Sequence, residues 1–319
     1  MKRLIIIMHG LGDNIMATPA MKELKKQHPE DDLYIGGFSY LSSKEVWEGN
    51  KDIKGYIEYP IDYHPTYWNH EMFNLEIPKI EETIHKKNKE LGLDFKHIIM
   101  LTLQNNKNLH RTYRIGRELG ITVKDKWYDT YSTEGDKKIA ETFLKGKKVF
   151  IVHRGGGNYK KSWDLDECKE TTEKIKKLTG LTPFIIDSEK EDTEEGKKLE
   201  IKGAIYLSNL PKKSIGVTKE IMKLAKFGIF TDSFPMHLAC SVFLPLVSIF
   251  TMTNIHETAP INTKSVMIVT SKYFQTCPSD IIENRYDKIL IREYLEDYRK
   301  VGVKRVIQGL KLLKVINNG

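Results

Sequence analysis

One local pattern restricts the fold of this chain more than any other, and it recurs. An apolar, β-prone run passes through a short polar turn directly into a helix. The first copy is Leu4-Ile-Ile-Ile-Met8, then His9-Gly10-Leu11-Gly12-Asp13-Asn14, then a helical pattern over 15–27. The second is the run 149–153 followed by Arg154, Gly155, Gly156 and Gly157. The third spans 227–250: a strand at 227–230, the oxygen-rich turn Thr231-Asp232-Ser233, a helix opened by Pro235 and a second strand past Pro245. Proline fits the first turn of a helix because the N–H it lacks would have no intrahelical partner there. Such a junction aims backbone N–H groups and the positive end of a helix dipole at one point, which suits an anion such as a phosphate. A plain βαβ crossover with a capping Asp-Ser has the same local pattern, so the junctions alone leave both readings open.

Between these junctions strands and helices alternate. Strands are predicted at 4–8, 33–36, 56–58 and 97–101, with helices at 15–27, 43–48, 77–91 and 107–117. A further helix at 134–144 ends at Gly146-Lys147-Lys148, where the pattern restarts. Strands 149–153, 183–187 and 204–207 then alternate with helices 166–178, 189–199 and 215–225. Alternation of this kind predicts α/β structure on mostly parallel sheets. The restart predicts two Rossmann-like, doubly wound domains, 1–146 and 147–319, and 319 residues are enough for both. A basic pattern over 292–316 reads as one long helix after a loop-rich segment.

Charge narrows the partners. Fifty-one Lys and Arg against 43 Asp and Glu leave a net +8, which suits an anionic substrate, an anionic membrane surface or nucleic acid. The lysines are spread along many helices, so solvated helix faces account for the excess equally well. No interleaving of aromatics with arginines marks a base-stacking surface, which argues against nucleic acid. The longest apolar run, 238–250, is broken by Ser241 and Pro245 and is too short to span a bilayer. The apolar run at 4–8 is too short for a signal peptide. Three scattered cysteines, Cys168, Cys240 and Cys277, form neither a disulfide framework nor a CxxC metal site, which fits a reducing cytoplasm.

The residues in the turns carry the chemistry. Gly10 and Gly12 invite a dinucleotide reading, but Ile15 stands where the third glycine of that fingerprint belongs. Gly36-Gly37-Phe38 stands where its ribose-binding acid belongs, so a nicotinamide or flavin role is disfavoured. Asp13 lies in the first turn of its helix, either to favour the helix dipole or to act as a general base at the carboxyl edge of the sheet. Arg154, Lys160 and Lys161 surround a glycine run that lets main chain approach a ligand, and the cations can neutralise a diphosphate. Together with Asp232 and Ser233 they place two anion sites in one domain, which a nucleotide diphosphate explains. His237 sits one turn into its helix, in reach of the same point. No histidine pair has metal-ligand spacing, so no metal is expected. No G-x-S-x-G nucleophile elbow occurs either.

Three segments, in order and at matching spacing, then show a resemblance over nearly the whole chain. They are Gly12-Asp-Asn-Ile-Met-Ala-Thr-Pro-Ala20 with 24–29; His153-Arg-Gly-Gly-Gly157 with Lys161-Ser-Trp163; and Asp232-Ser-Phe-Pro-Met-His-Leu-Ala239 with Pro245 and Thr251. In these the chain resembles the ADP-heptose:lipopolysaccharide heptosyltransferases, glycosyltransferase family nine. The resemblance implies a GT-B fold with an interdomain cleft, an acceptor-side first domain, a donor-side second domain and a C-terminal helix, 292–316, crossing back to the first. It implies inverting transfer of a heptose-like sugar from an ADP-linked donor to a glycan or glycolipid, with no tightly bound cofactor or metal. Asp13 would deprotonate the acceptor hydroxyl, and Lys161 would neutralise the departing diphosphate. Gly12, Arg154, Gly155, Gly156, Asp232, Ser233 and His237 would hold the donor.

Two departures stand out. Phe234 replaces the glycine usual after Asp-Ser, and the 153–157 turn is poorer in hydroxyls than its counterpart. Residues 59–117 carry no recognisable acceptor motif; the arginines Arg111 and Arg114 are the candidates there, and with Arg117 they offer a basic surface to an anionic acceptor or to the inner membrane face. The expectation is a cytoplasmic glycosyltransferase with peripheral membrane contact. A GT-B nucleotide-sugar epimerase or hydrolase, or a silent nucleotide-sugar-binding protein, are the alternatives.

Overall fold

The structure, a computed structural model, describes the chain except residues 41–42, 64–69, 104–108, 156–158, 188–197, 262, 272–287, 294 and 317–319. It divides into two compact units, Met1–Tyr131 and Ser132–Gly319.

In the first unit, β1 (Lys2–Ile7), β2 (Asp32–Phe38), β3 (Gly55–Tyr59) and β4 (His97–Leu101) form a parallel sheet in the order β3-β2-β1-β4. The helices are α1 (Leu11–Gln27), α2 (Lys44–Trp47), α3 (His70–Glu90) and α4 (Arg111–Glu118). Residues 4–7 of β1 are buried on both faces, as an unbroken apolar run requires of a central parallel strand. Pro19 interrupts α1 without breaking it. The Ile15 carbonyl, which Pro19 cannot serve, accepts the Thr18 hydroxyl at 2.8 Å instead. The two glycines that end β2 have a packing reason. A Cβ on Gly36 would come within 2.8 Å of the Tyr59 ring, and one on Gly37 within 2.0 Å of the Tyr56 hydroxyl. Tyr59 is thereby buried, with its hydroxyl donating to Asn88 Oδ1 at 2.8 Å. Space for tyrosines thus accounts for the absence of an acid at this strand end.

The second unit holds a parallel sheet in the order β11-β10-β9-β8-β5-β6-β7. Its strands are β5 (Val149–His153), β6 (Thr182–Ile185), β7 (Ile205–Tyr206), β8 (Gly228–Thr231), β9 (Leu246–Phe250), β10 (Ser265–Val269) and β11 (Lys288–Arg292). Its helices are α5 (Glu134–Leu144), α6 (Leu165–Thr179), α7 (Ile215–Leu224), α8 (Phe234–Ser241), α9 (Ile255–Thr258) and α10 (Val303–Leu312). The units divide before α5, some way ahead of the glycine restart at 146, because α5 packs on α7. Asp136, part of the capping box that starts α5, also binds Lys212 Nζ at 2.9 Å. The predicted tail helix over 292–316 is divided: its first residue closes β11, and helix begins only at Val303. Helix α10 packs on α6, β9 and β10, with Val306 and Leu310 fully buried in the core of the second unit. The helix predicted at 189–199 falls almost entirely outside the described residues. Among the described residues, no helix is long and apolar enough to cross a membrane.

Both sheets are doubly wound, and each has a topological switch point where the direction of winding reverses. It lies between β1 and β4 in the first unit and between β5 and β8 in the second. In open α/β sheets ligands bind outside the carboxyl ends of the strands at such a point.

Candidate functional site

At the second switch point β8 ends at Thr231, and the chain turns through Asp232 and Ser233 into α8. Extended backbone at Ser233 (φ −161°) and Pro235 in the first turn start the helix abruptly. Ser233 does not cap α8 with its side chain; its hydroxyl donates back to the Thr231 carbonyl at 3.1 Å. The helix end therefore keeps its polarity toward the carboxyl edge. Phe234, half-buried, is the first helical residue.

Asp232 is buried and stands between two basic groups. Lys161 Nζ lies 3.5 Å from its Oδ2, and His237 Nε2 lies 3.9 Å from its Oδ1. Lys161 comes from the 3-10 turn Tyr159–Lys161 after β5, so two adjacent strand ends build one cluster. The loops are tied to each other as well. Thr231 donates its hydroxyl to the Gly155 carbonyl, and Thr251, just past β9, donates to the Lys160 carbonyl at 2.7 Å. A carboxylate suits sugar hydroxyls, whereas an ammonium and a helix start suit phosphate oxygens. The cluster offers both within one short stretch of surface.

Arg154 stands apart from that cluster in kind. It is buried, and its Nη1 donates to the Trp163 carbonyl at 2.9 Å while Trp163 N–H donates to the Arg154 carbonyl, also at 2.9 Å. Trp163 is fully buried and donates Nε1–H to the Val301 carbonyl at 2.9 Å. Arg154 thus braces the glycine turn from inside, where a loop cation exposed to a diphosphate was expected. His153 is braced likewise, with Nδ1 2.9 Å from the Ile186 carbonyl, and burial holds its pKa below the usual range. Gly156 lies outside the described residues.

At the first switch point Gly12 and Asp13 open α1 after β1. Asp13 is mostly buried and pairs with Arg111 Nη1 at the start of α4. Asn14 fixes the turn: its Nδ2 donates to the His9 and Gly10 carbonyls at 3.1 Å each, and its Oδ1 accepts Trp47 Nε1–H at 2.8 Å. Arg114 is buried, and its Nη1 donates to the Leu103 carbonyl at 2.6 Å. One turn further, Glu118 accepts the backbone N–H groups of Thr102 and Leu103 at 3.0 and 2.9 Å. Burial raises the Glu118 pKa above the ordinary value, against those two N–H bonds. One face of α4 therefore supports the end of β4 through Arg114 and Glu118 and presents Arg111 to Asp13. Arg114, read from the sequence as an acceptor-side cation, is buried here with Nη1 on main chain. Of the three arginines on α4, Arg117 is the exposed one. Glu118 was not picked out from sequence, and Thr251 only as part of the third matching segment. The spacing of 111, 114 and 118 on one helical face was the available signal for the former.

Comparison with known proteins agrees with this anatomy. The family model for glycosyltransferase family 9 (heptosyltransferase) matches residues 97–289, well over half of the chain. The glycosyl transferase family 9 structure from Veillonella parvula DSM 2008 is similar over 98% of this chain and 96% of its own, at 16% identity and a TM-score of 0.68. E. coli heptosyltransferase WaaC, solved with ADP, is similar over 98% of this chain and 100% of its own, at 14% identity and a TM-score of 0.60. E. coli ADP-heptose lps heptosyltransferase II is similar over 98% of both chains, at 13% identity and a TM-score of 0.59. Curated protein sequences include no match. At such identities the structural likeness speaks for the fold, two Rossmann-like domains of the GT-B kind, and the family model speaks for descent. The chain belongs to glycosyltransferase family 9.

Proposed function

We propose that this glycosyltransferase moves a heptose-like sugar from an ADP-linked donor to a glycan or glycolipid acceptor, with inversion at the anomeric carbon. The observation that carries the donor half of the reading is the Asp232–Lys161–His237 cluster at the β5/β8 switch point, beside the start of α8. Lys161 and the N–H groups opening α8 serve the diphosphate, and Asp232 and His237 serve the sugar-proximal part. Ser233, Gly155 and the neighbouring Gly156 let main chain come close to the phosphates, while Arg154 keeps that turn in shape.

In the reaction the acceptor oxygen forms a bond to the anomeric carbon as the carbon–oxygen bond to the diphosphate breaks. The bonding pair leaves with the diphosphate, whose added charge Lys161 and the helix start stabilise. The acceptor's proton passes to Asp13. Arg111 pairs with the Asp13 carboxylate and fixes its orientation. The base belongs to the first unit and the donor residues to the second. Phe234, in place of a glycine, narrows the choice of sugar at the mouth of the donor site.

A screen of nucleotide sugars and nucleotides by thermal shift tests this reading, because a ligand bound only by the folded state raises the melting temperature by mass action. ADP and ADP-sugars are expected to stabilise the chain, and Lys161→Met to reduce the shift. Stabilisation by no nucleotide diphosphate would sink the reading. Donor breakdown without any acceptor would instead mark an epimerase or hydrolase.

A further inference from the structure

The second unit's sheet has a second edge, opposite the Asp232 turn. Because its strands are all parallel, the helix ends that lead into β5, β6, β8 and β9 all lie on that edge. The end of α10 joins them, since Lys264, just before β10, donates to the Leu313 carbonyl at 3.0 Å.

This edge has an unusual surface. Among the described residues, the unit's large hydrophobic side chains with high exposure are Leu178 (56%), Leu224 (45%), Phe243 (45%) and Leu312 (40%). All four stand here, each at or just past the end of a helix. Exposed lysines lie among them: Lys145, Lys147, Lys148, Lys177, Lys226 and Lys314. No carboxylate occurs in 144–148, 176–182, 223–228, 240–246 or 310–316. In sequence, Glu141 and Glu173 precede two of these stretches on α5 and α6, and Glu220, which binds Lys223 and Ser132, precedes a third. Between α6 and α10 the edge opens into a pocket of about 710 Å³, walled by Leu178, Leu181, Ile307 and Val315 and flanked by Lys226 and Lys311.

Helix termination does not explain this composition. Lysines in a last turn complement the helix dipole, which accounts for Lys177 and Lys311 but not for Lys147 and Lys148 beyond α5. The left-handed position after a helix is normally glycine. On this edge α6 ends so, at Gly180 (φ 67°), but after α5, α8 and α10 the left-handed residue is Lys145 (φ 48°), Phe243 (φ 58°) or Lys314 (φ 58°), side chains that this conformation disfavours. An apolar surface of this kind, studded with cations and free of acids, matches a negatively charged layer with hydrocarbon beneath it.

We propose that this edge of the second unit docks on an anionic lipid bilayer. The lysines lie against the headgroups, and Leu178, Leu224, Phe243 and Leu312 enter the boundary between headgroups and acyl chains. The surface is distinct from the donor cluster, and its assignment does not depend on the transfer reaction.

Flotation of the full chain with phosphatidylcholine vesicles, with and without phosphatidylglycerol, tests it. Binding is expected to the anionic vesicles and to fall steeply with added salt. Lys226→Glu combined with Lys314→Glu is expected to weaken it by at least about tenfold. Leu178→Ser combined with Phe243→Asn should remove the part that survives high salt. In both variants the ADP-induced thermal shift, or its absence, should match that of the parent chain, which separates this test from that of the donor site. Equal binding to neutral vesicles, binding to neither, or binding indifferent to these substitutions would overturn the proposal. So would a self-association that the same substitutions abolish, which is the mark of a second copy on this edge.

Discussion

Replacing Lys161 with methionine keeps an apolar stem and removes the ammonium that stands 3.5 Å from Oδ2 of buried Asp232. At that separation and an effective dielectric of about 20, the bare attraction is about 5 kcal/mol. Lys161 is partly exposed, so screening and side-chain ordering reduce the net contribution to about 1–2 kcal/mol in the free protein. A bound diphosphate loses more, because a hydrogen bond to a charged group contributes about 1.5–3 kcal/mol. The donor Kd should therefore rise about 10–150-fold, measured by titration calorimetry. Loss of a charge stabiliser at the leaving group should lower the single-turnover rate by about 10²–10³-fold. Part of the binding loss comes from the carboxylate left uncompensated against the phosphates. Adding Asp232→Asn to Lys161→Met should therefore restore some affinity, giving a coupling of about 1–2 kcal/mol in the double-mutant cycle. Strictly additive effects, or an unchanged donor Kd in Lys161→Met, would refute the claim that the two side chains act as one anion site.

Asp13→Asn should lower transfer by about 10²–10⁴-fold with donor affinity unchanged, since only the proton acceptor is lost; wild-type turnover would remove Asp13 as the base. Phe243→Asn relieves a left-handed phenylalanine and should stabilise the second unit by about 1 kcal/mol, raising its melting temperature by about 2–4 °C; a fall would show that the ring packs usefully on the fold. Burial pushes the Cys168 thiol up to about 12, so it should ignore a thiol reagent at mild alkaline pH until the unit unfolds. Its folded pKa is raised, so its contribution to stability is whole below the ordinary thiol pKa and declines as pH climbs through about 9 to 12. A flat alkaline melting profile, compared with Cys168→Ala, would contradict this.

The strand–turn–helix junctions were legible in the chain because their causes are local. A run such as 4–7 is apolar at every position, so it belongs in a central parallel strand whatever surrounds it. The doubly wound units and the clustering of Asp232 with Lys161 follow from that, since parallel strands bring successive turns to one edge. The tail was less legible. Its basic pattern over 292–316 looks continuously helical, yet Arg292 closes the edge strand paired with β10 and only Val303 onward is helix.

What the sequence determined by itself was the class of fold, the order of its turns and the residue types placed at them, because periodicity and turn chemistry act over a few residues. What only the tertiary structure decided was the use of each charge. Arg154 and Arg114 looked like cations for a ligand and are instead buried against the Trp163 and Leu103 carbonyls. Lys161 keeps an open face beside Asp232, and Arg111 is committed to Asp13. Gly36 and Gly37 looked like a missing acid and are clearance for tyrosines. The physical reason is common to all of them. Whether a guanidinium meets solvent, a carbonyl or a carboxylate depends on which distant segments pack over it, and on the desolvation that packing imposes.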